Sequence, residues 1–205
     1  MSAEILWADD ASVDGIATHI VEALANTSRP VMAVPGGQTP LPVFAALASA
    51  QLDWSQVTMM LTDDRIVAAD HPASNQRALV AAFAATDARI IPLEQGMGLP
   101  AFDLVWLGMG KDGHIASLFP NMQAEVGNGP AIIRTLPEPL PPEAPFARLS
   151  LNLAALTRSR SIMLVLKGAE KKMVIDQAIA GENDLPIAQL LRAASCPVTI
   201  FWSEK

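Results

Sequence analysis

Short, almost wholly apolar runs alternate along this chain with longer stretches whose apolar residues recur at helical spacing. Residues 31–34, 57–61, 103–107, 161–166 and 197–202 read as strands, and their near-continuous hydrophobicity is what burial on both faces requires. Weaker strand patterns lie at 4–8, 132–136 and 148–153. Between them the spacing predicts helices. One covers 10–26, where Val13, Ile16, Ile20 and Leu24 follow a period near 3.6, and another covers 41–49. A third is capped by Ser74 or Asn75 and runs to about residue 85. The last two cover 169–180, bounded by Gly168 and Gly181, and 186–194, with proline in its first turn. A single helical turn is expected at 115–119. This order predicts the α/β class: an open, mostly parallel, doubly wound sheet with helices on both faces. Parallel crossovers are right-handed, so the strands end on one edge, and ligands of such sheets gather outside that edge. The residues that follow each strand therefore carry the candidate chemistry.

Length and charge narrow the reading. The 205 residues suit one domain, 1–205, with a hydrophobic fraction of 51% that excludes a disordered chain. Fourteen Lys and Arg against 21 Asp and Glu give net −7, without the basic surface that phosphate neutralisation by a nucleic-acid-binding protein needs. No run is long enough for a membrane span, the acidic N-terminus is unlike a secretory signal, and the single cysteine, Cys196, forms no intrachain disulfide. The expectation is a cytoplasmic protein with no nucleic-acid or membrane partner, as a monomer or small homo-oligomer. Prolines crowd 137–145, which reads as a polyproline-like strap between two strands.

After the strand at 31–34 comes Pro35-Gly36-Gly37-Gln38-Thr39-Pro40, leading into a helix. The glycines permit close approach and positive φ, freeing N–H groups for an anion; alone, the motif is equally a plain tight turn. Thr62-Asp63-Asp64-Arg65 follows the strand at 57–61 and offers a carboxylate and a cation. Gly108-Met109-Gly110-Lys111-Asp112-Gly113-His114 follows the strand at 103–107. Its glycines match the spacing of a dinucleotide fingerprint, but Lys111 and Asp112 crowd the turn and no strand with a terminal acid follows. What this turn presents is a histidine beside an aspartate, and imidazole, with an ordinary pKa of about 6.5, suits a general base at neutral pH. In Lys167-Gly168-Ala169-Glu170-Lys171-Lys172, Lys171 shares a helical stripe with Val174, Ile175 and Ala178, so a cation sits on an apolar face at the end the macrodipole disfavours. Arg65, Lys111, Arg148, Lys167 and Lys171 thus gather at element ends of an acidic chain, as an anionic small molecule would need. His19, His71 and His114 lack zinc-like spacing, and no Gly-x-Ser-x-Gly elbow is present.

Together these segments resemble the 6-phosphogluconolactonases of the wider glucosamine-6-phosphate isomerase/lactonase superfamily. Pro35-Gly36-Gly37-Gln38-Thr39-Pro40 is similar to its phosphate loop, with Gln38 where the family has Ser or Thr. Thr62-Asp63-Asp64-Arg65 and His71-Pro72-Ala73-Ser74-Asn75 resemble its Asp-Glu-Arg and Ser-Asn block, with Asp64 in place of Glu. The run from Leu107 to Pro120 nearly repeats its most specific signature, and Arg148-Leu149-Ser150 and Gly168-Ala169-Glu170-Lys171 resemble later segments. The resemblance implies a Rossmann-like fold of the glucosamine-6-phosphate isomerase type. It also implies metal-independent hydrolysis of 6-phospho-D-glucono-1,5-lactone to 6-phospho-D-gluconate in the oxidative pentose phosphate pathway, with no cofactor. His114 would act as general base, oriented by Asp112 or Asp63, with Arg65 balancing the oxyanion. Gly36, Gly37, Gln38, Thr39, Arg148 and Lys171 would hold the phosphate. Two alternatives stay open on the same fold: a glucosamine-6-phosphate deaminase/isomerase, and a non-catalytic sugar-phosphate sensor.

Overall fold

The computed structural model describes residues 3–25, 27–122, 129–138 and 145–204. Strands β1 (Ile5–Trp7), β2 (Val31–Val34), β3 (Thr58–Leu61), β5 (Arg89–Ile91), β6 (Leu104–Leu107), β9 (Ile162–Lys167) and β10 (Val198–Ser203) form one sheet. Its order is β1-β10-β9-β6-β2-β3-β5, and every pairing is parallel. Helices α1 (Val13–Ala25), α2 (Leu41–Ala48) and α3 (Asn75–Ala82) cover one face, and α4 (Leu153–Thr157), α5 (Ala169–Ala180) and α6 (Pro186–Ala193) the other. The period of two along β2 shows why both faces need cover. Met32 and Val34 pack with Ile20, Phe44 and Leu47 on one side, while Ala33 packs with Leu156 and Leu190 on the other. The doubly wound α/β expectation holds.

From β2 the chain winds outward to β3 and β5, then returns to β6 on the other flank of β2. The reversal makes the carboxyl ends of β2 and β6 the topological switch point, where an open α/β sheet leaves a crevice. The glycine turns after Val34 and Leu107 both open there.

A second sheet was not expected. Strands β4 (Asp63–Arg65), β7 (Ile132–Thr135) and β8 (Arg148–Leu151) form an antiparallel sheet in the order β4-β8-β7. Thr62 joins the two: its N–H donates to the Val34 carbonyl of the large sheet at 2.8 Å, and its carbonyl accepts from the Leu151 N–H of the small one at 2.8 Å. Residues 62–65, expected only to follow the strand at 57–61, thus pass directly from one sheet to the other. Pairing sets Asp63 opposite Ser150 and Arg65 opposite Arg148.

Two further local expectations are corrected. Residues 115–119 form no helical turn. A tight turn closed by Ile115 and Leu118 replaces it, with Ala116 at φ 47°. The strand begun at Arg148 stops at Leu151, because the Asn152 side chain accepts the Ala155 N–H at 2.9 Å and caps α4. The helix cap expected at Ser74 or Asn75 is Ser74, whose hydroxyl accepts the Arg77 N–H at 3.1 Å. Asn26 and most of the proline-rich strap, including Pro139, Pro141 and Pro142, lie outside the described residues.

Candidate active site

At the switch point opens a cleft of about 310 Å³. Loops from both sheets line it, and each loop is held there by identifiable contacts.

His114 stands on the turn after β6. Its Nδ1 lies 2.6 Å from Asp112 Oδ1, and Gly110 N–H donates to the His114 carbonyl at 2.9 Å. A carboxylate only accepts, so Nδ1 carries a proton, and in the neutral ring the lone pair is then on Nε2. Gly110 makes the pairing possible. A Cβ there would fall 2.2 Å from the imidazole and 2.4 Å from the Asp112 carboxylate. The Phe119 ring packs 4.9 Å from the imidazole. No helix begins at this glycine-rich turn, so it lacks the context of a dinucleotide site.

The opposite wall belongs to the small sheet. Arg65 and Arg148 sit directly across from each other, an arrangement that repels unless an anion lies between them. Nη1 of Arg65 donates to the Ala73 carbonyl at 2.9 Å and to Asn75 Oδ1 at 3.0 Å. The Arg148 guanidinium lies over Phe119, 5.7 Å from the ring centroid. In both arginines Nε is buried and has no hydrogen-bond partner among the described residues. Beneath them Asp63 is almost wholly buried and accepts the Ser117 hydroxyl at 2.5 Å. Burial pushes the Asp63 carboxyl above the ordinary range, opposed by the Ser117 hydrogen bond and by the charges of Arg148 and Arg65. Of the two acids offered as partners of the imidazole, Asp112 makes the contact. Asp63 is spent on Ser117.

Asn75 ties this wall to the glycine loop. Its Oδ1 accepts the Gly37 N–H at 3.2 Å as well as Arg65 Nη1. A Cβ on Gly36 would fall 2.0 Å from the Asn75 amide, and Gly37 has φ 89°, so close approach explains the first glycine and backbone conformation the second. The Gly37 N–H is therefore committed to Asn75 rather than free for a ligand. Thr39 lines the cleft at the start of α2, whereas the exposed Gln38 side chain does not. Asp64 faces away from the cleft: its carboxylate accepts the N–H groups of Arg65, Asn75 and Gln76 at 2.7, 2.8 and 2.9 Å, anchoring the start of α3.

Lysines close the remaining side. Lys167 ends β9, and half-buried Lys171 stands on the first turn of α5; both line the cleft. Burial lowers the Lys171 pKa from its ordinary value, the charge of Lys111 lowers it further, and Asp112 partly restores it. Lys111, grouped above with the binding cations, is instead exposed and ion-paired with Glu170. Lys172 points elsewhere, bonding Asp176 and covering the Trp7 ring.

Asn75 and Ser117 are the residues whose parts were missed. Both lie in the quoted motifs, but a hydrogen-bonding hub has no signature in spacing alone. Among the described residues no cluster of His, Cys, Asp and Glu could hold a metal ion, and no helix is long and apolar enough to cross a membrane.

The family model for glucosamine-6-phosphate isomerases/6-phosphogluconolactonase matches residues 8–97 and 81–202. A 6-phosphogluconolactonase of Caulobacter vibrioides is 35% identical over 95% of this chain and 92% of its own length. One of Rhizobium meliloti is 32% identical over 95% and 93%. The crystal structure of a 6-phosphogluconolactonase from Shewanella baltica superposes with a TM-score of 0.82 at 30% identity, covering 98% of this chain and 97% of that one. A monomeric glucosamine-6-phosphate deaminase shares the fold, with a TM-score of 0.79 at 16% identity.

Proposed function

The chain belongs to the glucosamine-6-phosphate isomerase/6-phosphogluconolactonase family, and on that premise we propose that it hydrolyses 6-phospho-D-glucono-1,5-lactone to 6-phospho-D-gluconate. One observation carries this reading. An imidazole held by a carboxylate at 2.6 Å lines the same cleft as Arg65, Arg148, Lys167 and Lys171. A neutral base and a cationic clamp suit an electrophilic carbonyl joined to a phosphate.

Nε2 of His114 takes a proton from water as its oxygen attacks the lactone carbonyl. The imidazolium formed is stabilised by Asp112, and Arg65 offsets the negative charge on the carbonyl oxygen. When the tetrahedral intermediate collapses, the bond to the ring oxygen breaks and that oxygen receives the proton from His114. The carboxylic acid so formed gives its remaining proton to solvent, and the product leaves as a carboxylate and a free hydroxyl. Arg148, Lys171 and the Thr39 hydroxyl hold the phosphate, and binding energy from this remote group aligns the reacting carbon. A lactone is an activated ester, so general-base attack by water suffices without a covalent intermediate.

The test is proton release from freshly generated lactone, corrected for spontaneous ring opening. A catalysed rate is expected, with no ammonia released from glucosamine 6-phosphate. A lactone rate equal to the spontaneous one would overturn the reading.

A further inference from the structure

We propose that Ser117 is a positioning residue that bolts the His114 turn to the arginine-bearing sheet and so sets the separation between base and cations. The proposal rests on the lactonase reading for its kinetic consequence and on geometry alone for the bolt. Ser117 is fully buried. Its N–H donates to Ser150 Oγ at 3.1 Å and its hydroxyl to Asp63 Oδ2 at 2.5 Å. Those acceptors are directly paired across β4 and β8, and two residues along the same strands stand Arg65 and Arg148. One residue therefore grips both strands of the arginine pair, three positions after the catalytic histidine.

The backbone shows that this grip has work to do. Ala116, immediately before Ser117, has φ 47°, the one positive φ outside glycine among the described residues. An L-alanine holds the left-handed region only where its surroundings enforce it, and such strain collects at functional turns. Local bonds close the turn from within, Gly110 N–H to His114 carbonyl and Leu118 N–H to Ile115 carbonyl. Among the described residues, the two Ser117 bonds are the hydrogen bonds that tie residues 114–118 to the other wall of the cleft, beside the apolar packing of Ile115 and Leu118. A displacement of about 1 Å in such a site can cost about 100-fold in rate.

Ser117→Ala should lower kcat about 10–100-fold while KM stays within about threefold. Adding Ala116→Gly should restore at least about fivefold of that kcat, since glycine holds the left-handed turn without enforcement. A role confined to packing would lower the folded fraction instead and would not respond to the glycine. Unchanged kcat in Ser117→Ala, or a kcat loss that the glycine does not recover, overturns the proposal. Amide exchange in the wild-type protein decides the matter should Ser117→Ala fail to fold or the wild type hydrolyse no lactone. The Ser117 N–H should exchange only through global unfolding, and exchange by local opening would overturn the bolt.

Discussion

Strand β9 buries Ile162 through Leu166 between two helical layers, whereas β8 alternates Arg148 and Ser150 on one face with Leu149 and Leu151 on the other. The strands belong to two sheets that meet at one cleft and contribute to it differently. The large parallel sheet brings the functional groups in on loops: the glycine turn after β2, the histidine turn after β6, the lysines around the start of α5. The small antiparallel sheet brings them on the strands themselves, with Asp63, Arg65, Arg148 and Ser150 sharing one face. The large sheet can be rigid because its chemistry sits outside the core. In the small sheet, chemistry and strand pairing occupy the same residues, and Arg65 opposite Arg148 is the cost of that economy.

Substitutions should separate the two roles. The largest effect is expected at the loop of the large sheet: His114→Ala should lower kcat at least about 100-fold with the melting temperature unchanged. Activity near that of the wild type would remove His114 from the mechanism. In the core of the same sheet, Leu164→Ala should cost about 2–5 kcal/mol in a denaturant titration, with kcat per folded molecule unaltered. A specific loss of kcat there would show that core and site are not separable. In the small sheet, Arg148→Met should raise KM about 10–100-fold, the worth of a charged hydrogen bond, with little change in stability, because the cost of burying the guanidinium and its repulsion by Arg65 disappear along with its attraction to Asp63. Destabilisation alongside an unchanged KM would reverse the assignment.

The smallest effect is a pH dependence. The phosphate contact proposed for Lys171 requires its proton, and burial with Lys111 nearby lowers its pKa below the ordinary 10.5. Affinity for 6-phosphogluconate should thus fall with rising pH before an ordinary lysine would lose its proton. In Lys171→Arg the fall should vanish, as guanidinium stays charged throughout. Calorimetric titrations across the alkaline range would measure this, and an identical fall in both proteins would exclude Lys171 as its source.

The same contrast explains how much could be read in advance. Strands β2, β3, β6, β9 and β10 are legible because burial on both faces demands unbroken apolar runs, whereas the three-residue edge strand β5, with Arg89 exposed, has no such run and was not expected. Lys171 stood out as a cation on an otherwise apolar helical stripe. Asp63-Asp64-Arg65 has no such pattern. It becomes a strand only because β8, far along the chain, supplies its partners. Residues 115–119 mislead for a different reason. Ile115, Leu118 and Phe119 have helical spacing, yet they are buried around a tight turn that Ser117 and Gly110 hold in place. Charge type was legible and charge partner was not. Lys111 and Lys171 are both cations at element ends, but Glu170 takes the first and the cleft receives the second.

The central claim is that His114 and the phosphate-holding cations Arg148 and Lys171 act on opposite ends of one substrate. The direct measurement compares kcat/KM for glucono-1,5-lactone with and without its 6-phosphate, in the wild type and in Lys171→Ala. The variant should lose about 10–100-fold on the phosphorylated lactone and almost nothing on the unphosphorylated one. Equal losses on both substrates would place Lys171 away from the phosphate and contradict the account.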